Sequence, residues 1–93
     1  YTILETDQIV AVTYTPTGSV TLTLPEIQGI TGNKKRLIIK DEGGNAGTNN
    51  ITINPSGTDT IDGVSSVVVN GDYNSISLYN DGSVTIGGEW FIC

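Results

Sequence analysis

Acidic side chains are the residues of this chain that could carry acid–base or metal chemistry. Asp59 and Asp62 lie three positions apart, and Asp41 and Glu42 are adjacent in a glycine-rich stretch with Asn45. Carboxylate pairs serve glycosidases as acid and nucleophile, and oxygen ligands of this kind also bind Ca²⁺, but neither group matches the twelve-residue calcium loop. Because aspartate is common in turns, where it bonds nearby backbone amides, we interpret Asp59 and Asp62 as turn residues. We predict no metal and no cofactor.

Nucleophilic catalysis is the second chemistry to consider. A serine or cysteine nucleophile needs a base beside it, and the chain contains no histidine. The single cysteine is Cys93 at the end of the sequence, which we interpret as a small apolar residue closing the final strand or as an exposed thiol. Without an acid–base constellation, we expect the chain not to be an enzyme.

Surface recognition is the chemistry that the remaining side chains favour. Tyr73 follows an Asn-Gly turn, outside any apolar alternation, and lies between Asp72 and Asn74. A tyrosine ring flanked by hydrogen-bonding side chains can stack against a sugar, although the same ring could merely cover the turn. The glycine-rich stretch 42–49 is the longest connection, and we expect it to be a mobile loop that carries recognition. The candidate ligand-binding residues are therefore Tyr73, Asp72, Asn74, Asn45 and Asn49.

The charge of the chain argues against two classes of partner. Its formal net charge is −6, and three of its four basic residues form the short run Lys34, Lys35 and Arg36. Binding to nucleic acid or to an anionic membrane depends on many Lys and Arg residues, so we expect neither. The sequence also lacks an apolar run near the roughly 20 residues that span a bilayer, so we expect no membrane insertion.

Apolar residues recur with a period of two, which is typical of β-strands with one buried face. Trp90 is in phase with Ile92, which indicates a core position, and Asn70-Gly71 and Asp81-Gly82 indicate tight turns. We predict an all-β fold, a small antiparallel β-sandwich or jelly-roll-like barrel of about eight short strands. The predicted strands are 2–6, 9–14, 19–24, 36–41, 50–54, 66–70, 75–80 and 89–93.

The size of the chain suggests that it needs a partner. Ninety-three residues form one small domain, which buries too little surface to be very stable alone. One cysteine permits no internal disulfide, so association with other subunits is the remaining source of stability. Ile38 and Val68 lie out of phase with the apolar residues on either side of them. We therefore expect both to be covered by another subunit or by a loop.

The C-terminal half carries a resemblance to a known family. Residues 50–63 read NITINPSGTDTIDG, and the segments 66–70 and 75–79, an Asp-Gly turn and a closing strand with Trp90 follow them. This order of pieces resembles the C-terminal β-domains of bacteriophage tail and head fibres and related trimeric, phage-like fibre adhesins. The resemblance implies that residues 1–93 are a single fibre-tip domain, the C-terminal fragment of a longer fibre, and that this domain assembles as a homotrimer.

The function that the resemblance implies is attachment. We expect a non-catalytic receptor-binding tip that binds a bacterial cell-surface glycan or protein. Its expected location is a virion tail or head fibre, or a phage-derived extracellular fibre on a bacterial surface. Two alternatives remain open: a purely structural knob that trimerises or caps a fibre, and a carbohydrate-binding module of a secreted enzyme.

Overall fold

The computed structural model describes residues 1–4, 8–27, 36–81 and 87–92. The predicted all-β fold is confirmed, because these residues form eight short strands in two sheets. They contain no helix that is long and apolar enough to cross a membrane. The strands are β1 (Ile9–Val12), β2 (Val20–Thr23), β3 (Leu37–Asp41), β4 (Ile51–Asn54), β5 (Thr60–Ile61), β6 (Val67–Val69), β7 (Ser75–Asn80) and β8 (Glu89–Ile92).

The two sheets form a sandwich of unequal layers. The larger sheet has the order β1-β3-β7-β8-β5, and the smaller one has the order β2-β4-β6. The pairs β1–β3, β2–β4 and β5–β8 are parallel, whereas β3–β7, β4–β6 and β7–β8 are antiparallel. The prediction of antiparallel pairing is therefore correct for only half of the pairs. From β1 to β7 each connection passes from one sheet to the other, so two strands that are next but one in the chain can lie side by side and run in the same direction.

The core lies between the sheets and follows the alternation in the sequence. Along β3 and β4, every second side chain is buried, with Ile39, Ile51 and Ile53 completely inaccessible. Trp90 is buried in β8 with 2 % of its surface exposed, which confirms its predicted core position. Burying each such side chain stabilises the fold by about 1.5–3 kcal/mol.

The structure differs from the strand predictions at two places. The first predicted strand, 2–6, is reduced to an isolated bridge between Thr2 and Thr23 in its described part. The two-residue strand β5 lies in a segment that was predicted to be a turn, and it is too short to show an alternation. Residues 5–7, the Gly82 position of the predicted second tight turn, and Cys93 lie outside the described residues.

The tight turn predicted at Asn70-Gly71 lies one residue further along the chain, and it does not form a hairpin. It connects β6 in the smaller sheet to β7 in the larger one, so the flanking strands do not pair with each other. The chain reverses over residues 71–74, where the amide of Asn74 donates to the Gly71 carbonyl at 3.1 Å. The residue with positive φ is Tyr73, at 61°, and not the glycine.

Ile38 and Val68 face outward on opposite sides of the sandwich. Ile38 is half-buried opposite Ser77 on the outer face of the larger sheet, and Val68 is 46 % exposed beside Thr52 on the smaller one. No loop of the described chain buries either residue fully, so their complete burial by another subunit stays a prediction. The homotrimer likewise stays a prediction.

Candidate functional site

Asp41, the last residue of β3, lies at the centre of the loops that contain the predicted site. Its side chain is inaccessible to solvent and accepts four hydrogen bonds. The Thr15 hydroxyl donates to Oδ1 at 2.6 Å and the Gly44 amide at 3.0 Å. The amides of Ala46 and Tyr73 donate to Oδ2 at 2.9 and 3.0 Å. One carboxylate therefore ties together three loops that are far apart in the sequence.

The hydrogen bonds determine the charge state of this carboxylate. Burial alone would raise the pKa of Asp41, because it removes water from the charged form. The hydrogen bonds from Thr15 and from the amides of Ala46, Tyr73 and Gly44 favour the charged form more strongly, and they lower the pKa from 3.8 to about 2. Asp41 is thus a buried structural anion at neutral pH.

The stretch 42–49 is a closely bonded loop, and the mobility predicted from its glycine content stays a prediction. The Asn45 amide donates to the Thr15 hydroxyl at 3.3 Å, and the Asn49 side chain donates to the Thr15 carbonyl at 2.6 Å. The amides of Thr48 and Asn49 both donate to the Asn45 carbonyl, at 3.0 and 2.8 Å. The side chain of Asn49 therefore holds the loop 42–49 to the segment that contains Thr15.

The loop 70–74 packs beside the loop 42–49, so the five predicted site residues lie at one end of the sandwich. The Asp72 carboxylate accepts a hydrogen bond from the Gly47 amide at 2.9 Å and links the two loops. The Asn74 carbonyl accepts from the Asp41 amide at 3.0 Å. The structure brings these residues together but engages several of them in internal bonds. Their role in ligand binding stays a prediction.

Tyr73 is the residue of this group that is presented to solvent. It is 61 % exposed, and its φ of 61° is a conformation that costs a non-glycine residue about 1–2 kcal/mol. Part of its ring lies against Gly44, where any added side chain would overlap it. The Lys40 ammonium donates to the Tyr73 carbonyl and lies 5.9 Å from the ring centroid. The ring is thus held in a fixed position with much of its surface open.

Asp59 and Asp62 bond to backbone amides, as expected of structural carboxylates, although these amides are distant in the sequence. Asp59 is buried and accepts from the amides of Ile27 and Gly88, both at 2.9 Å. Asp62 is exposed and accepts from the Ile92 amide at 3.4 Å. Across the described residues, no three side chains of His, Cys, Asp or Glu are grouped so that they could hold a metal ion.

An apolar groove between β1 and β2 was not predicted from the sequence. It has a volume of about 310 Å³ and opens between β1 and β2, which are edge strands of the larger and the smaller sheet. Tyr1, residues 9–14, Val20 and Leu22 line it, and none of these side chains is charged. Tyr14 and Ile9 are 72 % and 65 % exposed. Period-two alternation marks the apolar residues of a strand but does not reveal that the strand is an edge, so the sequence contained no clear signal for this surface.

Among the described residues, nothing pairs with the backbone along one side of the groove. The Gln8 and Val12 carbonyls accept hydrogen bonds from the β3 side, so the backbone groups of the alternate residues Ile9 and Ala11 point away from the sheet. Across the groove, the edge of β2 is covered by the N-terminal segment, since Ile3 donates to Thr23 at 2.7 Å. β1 therefore presents both exposed apolar side chains and free backbone groups.

Comparison with known proteins identifies a phage protein family. A family model described as "Bacteriophage T4 gp9/10-like protein, N-terminal" matches residues 5–92. No curated protein matches the chain. The resemblance to phage fibre proteins is confirmed at the level of a structural protein of the phage tail or fibre. The assignment to a C-terminal domain was wrong, because the matching family is an N-terminal domain. The motifs behind that assignment are strand and turn patterns, which do not distinguish one end of a protein from the other.

Proposed function

Because the chain belongs to the bacteriophage T4 gp9/10-like N-terminal family, we propose that it is an assembly domain, which attaches its protein to another protein of the phage tail or fibre. It acts by binding and without catalysis. We favour the structural role, one of the two alternatives left open by the sequence, over a receptor-binding tip, because the matching family is an N-terminal domain.

The observation that carries this proposal is the exposed apolar surface along β1. Ile9 and Tyr14 are both more than half exposed and lie on the same uncharged groove. Apolar surfaces of this kind on a folded domain mark sites of protein contact. Aromatic residues such as Tyr1 and Tyr14 are enriched in the buried centre of such interfaces, where charged residues are depleted.

The experiment compares two charged substitutions in the protein as it assembles into its particle. Ile9→Glu places a carboxylate in the proposed interface, and its burial without a partner would be costly. Val64→Glu is the matched control, because Val64 is 48 % exposed and contacts β5 at the other end of the larger sheet. We expect Ile9→Glu to lower the amount of protein per particle strongly and Val64→Glu to change it little, with similar thermal midpoints. Equal incorporation of both variants would contradict the proposal.

Receptor binding at Tyr73 is a second candidate function, favoured by the fixed and exposed ring. A tyrosine held at positive φ is unusual, and strained residues of this kind cluster at functional sites. The ligand would be a bacterial cell-surface glycan or protein, bound weakly at each site. Three copies in a homotrimer would raise the avidity by roughly 10²–10⁴. Tyr73→Ala should then abolish adhesion of particles to host cells while the thermal midpoint changes little, and undiminished adhesion would exclude this site.

A further inference from the structure

We infer that the groove along β1 binds an extended segment of another particle protein, which adds to the larger sheet as a new edge strand. This inference rests on the proposed assembly function and specifies the partner. The partner segment is uncharged where it faces the groove and carries apolar side chains at alternate positions.

β1 has backbone groups that no described residue pairs with. Ile9 and Ala11 direct their N–H and C=O groups away from β3, and no described residue hydrogen-bonds to them. An exposed row of such groups is a template for pairing with another strand. Proteins that bind an extended peptide at a sheet edge gain affinity from these main-chain bonds and specificity from pockets for alternate side chains.

The shape of the groove supplies those pockets. A strand added beside β1 would place every second side chain on the inner face of the larger sheet, over Val20 and Leu22 of β2. The groove thus extends the core between the two sheets beyond β1, the edge strand of the larger sheet. Its lining runs without interruption from Ile9 to Tyr14, so the contact follows the whole strand, about 13 Å for four residues.

The charge distribution defines the chemistry of the segment. The chain has a net charge of −6, yet no charged side chain lines the groove. A charged side chain of the partner would enter this surface without an opposite charge, which is unfavourable. β-branched or aromatic residues suit the site, because they pair well with exposed strand residues such as Ile9.

A separate protein fits the groove better than a second copy of this chain. The free edge of β1 is also present in a second copy, but the inward side chains of that strand, Val10 and Val12, already pack against its own core and are not available to fill the groove. A free extended segment has both its backbone and its side chains available.

The test removes one edge donor without disturbing the β1–β3 pairing. Ala11→Pro deletes an N–H group that points away from β3, and proline is tolerated on edge strands in this orientation. In the protein as it assembles, we expect Ala11→Pro to lower the amount per particle about tenfold or more, because a main-chain bond is lost and the proline ring obstructs the edge. Ala11→Val, which adds bulk but keeps the N–H group, should lower it less. Ser65→Pro, at an exposed position before β6, controls for the general effect of introducing a proline.

Amide hydrogen exchange of the unmodified protein keeps the inference testable if Ala11→Pro fails to fold. We expect the amides of Ile9 and Ala11 to exchange rapidly in the free protein and slowly in the assembled particle. Incorporation of Ala11→Pro at the control level, or rapid exchange in the particle, would overturn strand addition. Protection already present in the dilute free protein would mean that the chain covers its own edge. Protection that rises with the concentration of the free protein would identify a second copy as the occupant, and both results would also overturn the inference.

The outcomes separate this inference from the proposed function. If Ile9→Glu blocks assembly and Ala11→Pro does not, β1 is an assembly surface to which no strand is added. If neither variant affects assembly, both proposals are wrong.

Discussion

Asp41 shows how one residue can fix the position of a whole group of loops. Its carboxylate accepts four hydrogen bonds from Thr15, Gly44, Ala46 and Tyr73 and is completely buried. Asp41→Asn would place an amide NH₂ group against two of these donors. Since each unsatisfied buried group costs about 1–3 kcal/mol, we expect a loss of roughly 3 kcal/mol in unfolding free energy. Asp72→Asn is the control for chemical denaturation, because an amide oxygen can keep its one bond.

The pH dependence of stability provides a second prediction for Asp41. Its pKa is lowered from 3.8 to about 2, so its charged form stabilises the fold fully above pH 3.8, and this contribution is lost as the pH falls towards 2. The difference in unfolding free energy between the unmodified protein and Asp41→Asn should therefore be constant above about pH 4 and shrink between about pH 4 and 2. A difference that stays constant down to pH 2 would show that Asp41 is not the buried anion described above.

Alanine substitutions at three glycines distinguish the stability cost of backbone strain from the cost of steric overlap. Gly18 has open space where a side chain would begin, Gly63 has open space but a φ of 80°, and Gly44 has a φ of 81° and lies against the Tyr73 ring. Substitution by alanine should cost little at Gly18 and about 1–2 kcal/mol at Gly63, since positive φ is unfavourable with a Cβ. Gly44→Ala should cost more than both and should change the fluorescence of Tyr73. A thermal scan in which Gly44→Ala equals Gly63→Ala would show that the ring does not lie on Gly44.

At the scale of the elements, Asp59 connects the start of β5 to two other parts of the chain. Its carboxylate accepts from the amides of Ile27 and Gly88, whereas Asp62 at the other end of β5 is exposed and accepts one long bond. Asp59→Ala leaves two amides without their acceptor and should cost about 2–4 kcal/mol. Asp62→Ala should cost less than about 1 kcal/mol. Urea denaturation compares the two variants, and equal costs would contradict the structural role of Asp59.

The elements also show which features the sequence could predict. Alternation identified seven of the eight strands and the buried face of β3, because burial repeats with the same period as the side chains. Asp41 is in phase with Leu37 and Ile39, so the alternation indicated a buried position. Its place next to the glycine-rich loop suggested an exposed residue instead. Strand partners were not predictable, since alternation fixes which face is buried but not which strand lies beside it. For this reason, the parallel pairing of β1 and its free edge appeared only in the structure.

At the scale of the whole molecule, the outer face of the larger sheet is a surface that another subunit could cover. Ile38 is half-buried there, and the rings of Tyr79 and Phe91 lie on the same face with their centroids 5.4 Å apart. If a subunit of a homotrimer covers this face, Ile38→Asp should convert the trimer into monomer or aggregate, because a buried unpaired charge is unfavourable. Light scattering measures the mass of both forms. A mass of one chain for the unmodified protein would contradict the trimer.

Hydroxyl-radical footprinting of Tyr14 and Tyr73 tests the central claim, that this domain assembles through β1, most directly. Both residues are tyrosines with similar exposure, 72 % and 61 %, but they belong to different candidate surfaces, the groove and the loops around Asp41. Their labelling is measured by mass spectrometry in the free protein and in the purified particle. We expect Tyr14 to lose most of its labelling in the particle while Tyr73 keeps it. Undiminished labelling of Tyr14 in the particle would contradict assembly through β1.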